Sequence, residues 1–342
     1  MGSLVTWVNG RFVEPADATI SVFDAGVQHA IGLFETMHAR NGRVFRPLAH
    51  LNRLAVSASE LLLTESLWTE PLAEAVQSCL ERSGLDQARV RLTLTGGDLS
   101  GLQAEGRSRQ DPTIVIAVQP ATRYPEAFFE QGVLVTVADG RLNTLTAMAG
   151  HKTMNYWERI RTLQLAGGRG ASESLWFSIT NHLASGCVSN VFLVRDGVLM
   201  TPIARGEEPE AAAMRAPVLP GVQRAAIIEL AEARGLEVER KMLSYDDLSR
   251  ADEVFLTNSG WGILPVVAVE QQPIARGEVG PLTRSLRERW LELVDRETRE
   301  AAGGASGVGG SRGPGGRGGR GGPGGPGASG SPGGPGGPES AP

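Results

Sequence analysis

Gly150-His151-Lys152-Thr153-Met154-Asn155-Tyr156 sets one lysine among small, apolar and aromatic residues, just ahead of a helical pattern that starts at Tyr156. An ordinary surface lysine is hydrated, protonated and a poor nucleophile. Apolar and aromatic neighbours strip part of that hydration, which favours the neutral, reactive amine. Alone the stretch is a weak signal, because surface lysines far outnumber reactive ones. Its weight comes from other segments, spread along the chain, that could bind a phosphate.

Working outward, three tight-turn signals, Asn9-Gly10, Asn41-Gly42 and Asp196-Gly197, each lie between β-prone residues and favour a two-residue hairpin. Apolar residues recur at helical spacing over His50–Leu63, where Leu51, Leu54, Ala58, Leu61 and Leu62 share a face. The same spacing predicts helices over Pro71–Glu81, Tyr156–Ala166, Val222–Arg234 and Pro281–Glu297. Strands are expected at Arg89–Thr95, Thr113–Val118, Val133–Ala138, Ser174–Ile179 and Val188–Val194. The breaker-rich stretch Pro120–Pro125 divides two α/β halves. The chain therefore reads as mixed α/β, with an N-terminal domain over 1–120, a linker over 121–125 and a larger C-terminal domain over 126–300. The Glu- and Ala-rich segment Arg205–Pro217 reads as a mobile surface insertion near the site, with a solvated loop of no role as the alternative.

From Ala301 the sequence is almost wholly Gly, Pro, Ser, Ala and Arg, so 301–342 is expected to be a disordered tail. Val308 aside, it has no large apolar side chains to offset the entropy of ordering. Its arginines, as in Gly315-Gly316-Arg317-Gly318-Gly319-Arg320, resemble RNA-binding tracts, but a flexible appendage is the reading preferred. A formal charge of −5 and 41% hydrophobic residues give no global attraction to nucleic acid or an anionic membrane. Cys79 and Cys187 fit neither a metal spacing nor a disulfide framework, so no metal is expected and a reducing, cytoplasmic setting is the simplest reading. No apolar run reaches the length of a membrane span.

A phosphate needs backbone N–H groups and a fixed positive charge. Leu219-Pro220-Gly221-Val222-Gln223-Arg224 opens a helix after a glycine, where N–H groups and the helix dipole bind anions. Thr257-Asn258-Ser259-Gly260 follows the apolar Val254-Phe255-Leu256 and can add hydroxyl and backbone donors, and Arg53 can reach in as a bidentate cation.

Together these segments resemble the fold-type IV, or class IV, aminotransferase family of pyridoxal-phosphate enzymes, which includes branched-chain and D-amino acid aminotransferases and aminodeoxychorismate lyases. The resemblance runs from about Trp7 to Trp290 in the family's order. It passes through Asp24-Ala25-Gly26-Val27-Gln28 leading to Phe34-Glu35-Thr36, then His50-Leu51-Asn52-Arg53-Leu54 and Lys152-Thr153-Met154-Asn155. It continues with Ser189-Asn190-Val191-Phe192, Leu219-Pro220-Gly221-Val222, Asp252–Asn258 and Leu264-Pro265-Val266. It implies a two-domain fold with a smaller N-terminal α/β domain and a larger C-terminal pseudo-barrel. The cofactor implied is pyridoxal 5′-phosphate, held by Lys152 as a Schiff base, with Lys152 also carrying the proton at the substrate's Cα. Arg53, the N–H groups of Val222 and Gln223 at Gly221, and Thr257 or Asn258 would hold the phosphate. Tyr156, Ser189 and Asn190 would complete the cofactor site, and Phe34 would line the pocket, core packing being its alternative. A homodimer is also implied.

Three departures stand out. The family places a glutamate five residues before Asn190, against the pyridine nitrogen, and here that position is Ser185. A carboxylate keeps the ring nitrogen protonated, whereas a serine can only hydrogen-bond to it. That resembles the tryptophan-synthase-like pyridoxal enzymes and predicts weakened or redirected chemistry. Glu173 is the nearest preceding acid but begins a strand and is expected to point elsewhere. Ala30-Ile31-Gly32 replaces the family's Gly-Asp-Gly, preceded by His29, a candidate pocket base whose alternative is a packed or surface histidine. Thr95-Gly96-Gly97 lacks the arginine of D-amino acid aminotransferases, leaving Arg89 and Arg91 as candidate carboxylate binders. The activity expected is amino transfer between an amino acid and a 2-oxo acid. The alternatives are an aminodeoxychorismate lyase-like elimination yielding pyruvate and 4-aminobenzoate, and a non-catalytic protein acting through its tail.

Overall fold

In the computed structural model, residues 3–99, 112–209 and 214–304 are described. The Gly-rich tail expected over 301–342 lies outside them from 305 onward. Asn9-Gly10, Asn41-Gly42 and Asp196-Gly197 each close a hairpin as the pattern predicts. At the last, Asp196 and Gly197 take φ of 52° and 80°, the turn conformation that matches the twist of the flanking strands.

The N-terminal half runs β1 (Val5–Val8), β2 (Arg11–Val13), α1 (Ala25–His29), β3 (Gly32–Arg40), β4 (Arg43–Val44), α2 (Pro47–Glu60), α3 (Thr69–Ser83), β5 (Ala88–Thr95) and β6 (Ile114–Pro120). The C-terminal half runs α4 (Ala127–Glu130), β7 (Val133–Leu142), α5 (Trp157–Gly168), β8 (Glu173–Ser178), β9 (Leu183–Gly186), β10 (Asn190–Arg195), β11 (Val198–Pro202) and α6 (Val222–Glu232). It closes with β12 (Val238–Lys241), α7 (Tyr245–Ser249), β13 (Glu253–Asn258), β14 (Gly262–Val269), β15 (Gln272–Pro273) and α8 (Pro281–Gly304). Each predicted helix and strand has its counterpart. α8 continues to Gly304, past both the expected helix end and the expected start of the tail. The strand expected from Val188 begins at Asn190, because Glu173 binds the backbone of the two residues after Gly186 into a turn.

The first sheet has the order β2-β1-β6-β5-β3-β4. Strand alternation sorts its side chains. Leu33, Met37, Val90, Leu92 and Leu94 turn to one face, where they form a buried cluster with Leu51 and Leu54 of α2 and Val76 and Leu80 of α3. Burying each such leucine stabilises the fold by roughly 1.5–3 kcal/mol. The alternate residues Phe34, Thr36, His38, Arg89 and Arg91 line a cavity on the other face. The second sheet has the order β12-β11-β10-β13-β14-β7-β8-β9, with β15 beside β14. Its last strand curls back: β9 packs against β10 and β11, and Gly186 N donates to Ser189 O at 2.9 Å. β10 and β13 are apolar on both faces. Val191, Leu193, Val254 and Leu256 join one core, and Phe192, Val194 and Phe255 join another under α6 and α8. Among the described residues no helix is long and apolar enough to cross a membrane, and Cys79 and Cys187 are free and buried.

Backbone bonds tie β3 of the first sheet to the segment between β7 and α5. Phe34 N donates to Lys152 O at 3.0 Å, and Met154 N donates to Gly32 O at 2.9 Å. So close an approach leaves no space at Gly32: a Cβ there would lie 2.5 Å from Met154 Sδ and 2.6 Å from Leu94 O. Side chains reinforce the seam, Arg46 pairing with Glu229 and Glu297, and Asn41 bonding Asp295 and Thr298.

Gly32→Ala is therefore expected to lower unfolding free energy by about 1–3 kcal/mol, the usual range for overpacking. Urea denaturation checks this, and an unchanged midpoint would contradict the tight seam.

Candidate active site

The cavity between the halves has a volume of about 820 Å3. Lys152 enters it from the segment between β7 and α5. Its amine lies 4.3 Å from the centre of the Phe34 ring and 5.5 Å from that of Tyr156, the two rings meeting edge to face at 5.1 Å. Burial pushes the Lys152 pKa down; the charges of Arg53 and Arg91 add to this, against Tyr156 and Glu35. For Tyr156, burial works upward, but the charges of Lys152 and Arg159 and a hydrogen bond with Lys152 outweigh it and lower its pKa. The pair is poised to share a proton.

One end of the cavity is rich in unused donors. Gly221 caps α6 with no side-chain hydrogen bond, so the first-turn N–H groups of Val222 and Gln223 have no intrahelical partner. A Cβ on Gly221 would collide with Asn190 Oδ1, which explains the glycine. Asn190 itself donates to Leu219 O at 2.9 Å and so shapes the loop leading to α6. Among the described residues the buried Thr257 hydroxyl has no hydrogen-bond partner, and neither has Gln223 Nε2. Arg53 spends Nε and Nη2 on Glu35 and Nη1 on Pro220 O, which leaves part of its fork free. Unpartnered buried donors, a helix N-terminus and a cation together suit a phosphate.

Glu35 fixes that cation. Its carboxylate accepts from Arg53 at 2.9 and 2.5 Å and contacts His50 Nδ1 at 2.8 Å. Burial would raise its pKa, yet Arg53 and His50 hold it at about 2. Glu35 received no role from the sequence. The available signal was a carboxylate at an inward strand position between Leu33 and Met37, opposite His50 and Arg53 three apart on a helix.

The remaining candidates divide. Phe34, Arg53, Arg91, Tyr156, Ser185, Ser189, Asn190, Gly221, Val222, Gln223, Thr257 and Asn258 line the cavity with Lys152. Ser189 Oγ, however, donates to Glu173, and Asn258 Oδ1 accepts from Gly260 N and Trp261 N, so both shape loops. His29 is exposed at the end of α1 and is not on the cavity wall; the pocket-base reading gives way to the surface one. Glu173 is fully buried and accepts from Ser174 N, Cys187 N, Val188 N and Ser189 Oγ, so it points away from the cavity as expected. The described parts of the 205–217 segment are tied down rather than loose. Arg205 pairs with Glu60, and Glu207 takes both arms of the buried Arg224. Residues 210–213 of that segment lie outside the described residues. Arg159 was also missed, although it stands three residues beyond Tyr156 on one helical face.

A two-sheet α/β fold with an enclosed lysine beside a phosphate-type pocket defines a class of cofactor-dependent enzymes that work through a lysine amine. The profile described as amino-transferase class IV matches residues 32–269, and the chain belongs to that family. A putative branched-chain-amino-acid aminotransferase of Methanocaldococcus jannaschii is 31% identical over 288 residues, covering 84% of this chain and 95% of the relative. The crystal structure of the Escherichia coli branched-chain amino acid aminotransferase superposes with a TM-score of 0.76 at 28% identity, covering 85% of this chain and 94% of that one. A similar branched-chain aminotransferase structure contains pyridoxamine 5′-phosphate. The 4-amino-4-deoxychorismate lyase of Pseudomonas aeruginosa superposes with a TM-score of 0.69 at 30% identity, covering 83% and 97%. Membership places the chain among the pyridoxal-phosphate enzymes of fold type IV that its motifs resemble.

The depression of the Glu35 pKa from 4.5 to about 2 corresponds to about 3 kcal/mol of stability. Because the folded-state pKa is the lower one, that contribution is present above pH 4.5 and is lost as pH falls toward 2. Urea unfolding of the wild type should show this loss between about pH 5 and pH 2, and Glu35→Gln should lack it. Identical acid profiles would contradict the pairing.

Proposed function

We propose that this chain transfers an amino group between an amino acid and a 2-oxo acid, using pyridoxal 5′-phosphate held at Lys152. One observation carries the reading: the enclosed Lys152 amine opens on the same cavity as an uncapped helix N-terminus and the unpartnered Thr257 hydroxyl. When bound, the cofactor supplies an electron-withdrawing ring and a carbon that accepts the amino group. Arg53, the Val222 and Gln223 N–H groups and Thr257 would hold its phosphate.

Lys152 takes the proton from the substrate's Cα, because burial favours its neutral amine. Tyr156 holds a proton beside it, and Phe34 keeps water from the amine. Arg91, seated on the Phe34 ring at 3.5 Å, and Arg89 present cations to the substrate carboxylate. Leu142, Met148 and Ile160 on the wall offer apolar contact to an aliphatic side chain, which agrees with the branched-chain names of the relatives. A homodimer is supported by the exposed Val22, Phe23, Val27 and Ile31 in and around α1, and a reducing, cytoplasmic setting by the two free, buried cysteines. Ser185 favours a second reading, an elimination like that of the lyase, since a hydroxyl supplies no charge to sustain a strong electron sink.

Protein loaded with the cofactor and given L-valine, L-leucine or L-isoleucine should convert the cofactor to its amine form and release the 2-oxo acid. Pyruvate from aminodeoxychorismate without an amino acceptor, with no transfer from any amino acid, would replace this reading with the lyase. Arg91→Met should raise KM for the 2-oxo acid by about 10-fold or more, the effect of a lost charged hydrogen bond, with a smaller change in kcat. An unchanged KM would remove Arg91 from carboxylate binding.

A further inference from the structure

The cavity wall at Ser185 carries a cation that no carboxylate pairs with among the described residues. Arg159 Nη1 donates to Gly186 O at 2.9 Å and Cys187 O at 3.1 Å, and makes a longer contact of 3.3 Å to Ser185 Oγ. Its guanidinium lies 5.7 Å from the Tyr156 ring centre and 5.8 Å from that of Trp176. Arg159, Tyr156 and Ser185 all line the cavity. No carboxylate pairs with Arg159 among the described residues. Glu158, also on the wall, is exposed and forms no ion pair among them. Glu173 lies close behind, but its oxygens are engaged by the backbone at 174, 187 and 188 and by Ser189.

We infer that Arg159, together with Ser185, faces the pyridine nitrogen of the bound cofactor and keeps that nitrogen unprotonated. The inference rests on the reading that the cofactor occupies this cavity at Lys152. In a pyridoxal ring the nitrogen is para to the ring carbon that bears the aldehyde engaged by the lysine. With the phosphate at α6 and Lys152 at one ring edge, the nitrogen falls on the opposite wall. Tyr156, in contact with both Lys152 and Arg159, spans the distance between the two edges.

The chemistry of that wall selects one protonation state. Ser185 Oγ accepts from Arg159, so its own hydrogen is free to donate to a nitrogen lone pair. A protonated ring would instead bring a second N–H donor, and a second positive charge, against a hydroxyl oxygen already facing a guanidinium. Like charges at that distance disfavour the protonated form. The ring then draws electrons less strongly, and more of the work of removing the Cα proton falls on Lys152.

The test is nitrogen NMR on the full-length protein reconstituted with cofactor carrying 15N at the ring position. The expected signal is that of a neutral, hydrogen-bonded pyridine, constant from about pH 6 to about 8.5. Ser185→Glu should move it to the pyridinium position, and Arg159→Met should move it part of the way. Glu158→Gln should leave it in place. Should Arg159→Met not fold, because it also loses the bonds to residues 186 and 187, Ser185→Glu decides alone. A pyridinium signal in the wild type, a signal indifferent to Ser185→Glu, or one governed by Glu158 would overturn the inference. Failure of the wild type to retain the labelled cofactor would instead overturn the reading on which it rests.

Discussion

The Phe34 N–H donating to the Lys152 carbonyl is the contact on which the rest of this molecule depends. With its neighbour from Met154 to Gly32, it ties β3 of the first sheet to the segment that leads from β7 into α5, and it does so at the lysine itself. The pairing sets the amine against Phe34 and Tyr156, where partial burial favours its neutral form. Gly32 is the condition for it, since no side chain fits between β3 and residue 154.

Around that seam the charges are arranged by burial. Glu35 occupies an inward position on β3, yet it faces α2, where Arg53 and His50 meet it. Arg53 is thereby fixed as a partly engaged cation at the cavity's phosphate-type end. Buried charges of this kind are strongly destabilising when one partner is removed, so they are retained in pairs. At the opposite wall the pattern inverts. Arg159 has carbonyls and a hydroxyl for partners and no carboxylate among the described residues. The two ends of the cavity thus offer a bound anion different surroundings, donors at one and an unneutralised cation at the other.

Much of this was legible in the sequence because it is local. Asn-Gly and Asp-Gly pairs encode tight turns within two residues, and helical periodicity located α2, α3, α5, α6 and α8. Gly221 at the start of a helix marked a candidate anion site without any knowledge of what lies opposite. Other features depend on tertiary contact. Glu35 gains its meaning only when β3 packs under α2, and Arg159 only when α5 docks on the turn after β9. His29 failed as a pocket base because α1 leaves it on the surface, a matter of packing that residue type cannot reveal. Residues 205–217 read as a loose insertion by composition, whereas Arg205 and Glu207 tie the segment to Glu60 and to the buried Arg224.

The central claim is that Lys152 is the residue that holds the cofactor. The sequence offers one competitor, Lys241, which is half-buried on β12 beside Glu239 and Asp247. Borohydride reduction of the protein incubated with pyridoxal 5′-phosphate, followed by digestion and peptide mass spectrometry, distinguishes them. The account predicts stoichiometric pyridoxyl modification of the peptide containing Lys152 and none at Lys241. An unmodified Lys152, or label confined to Lys241, would contradict it.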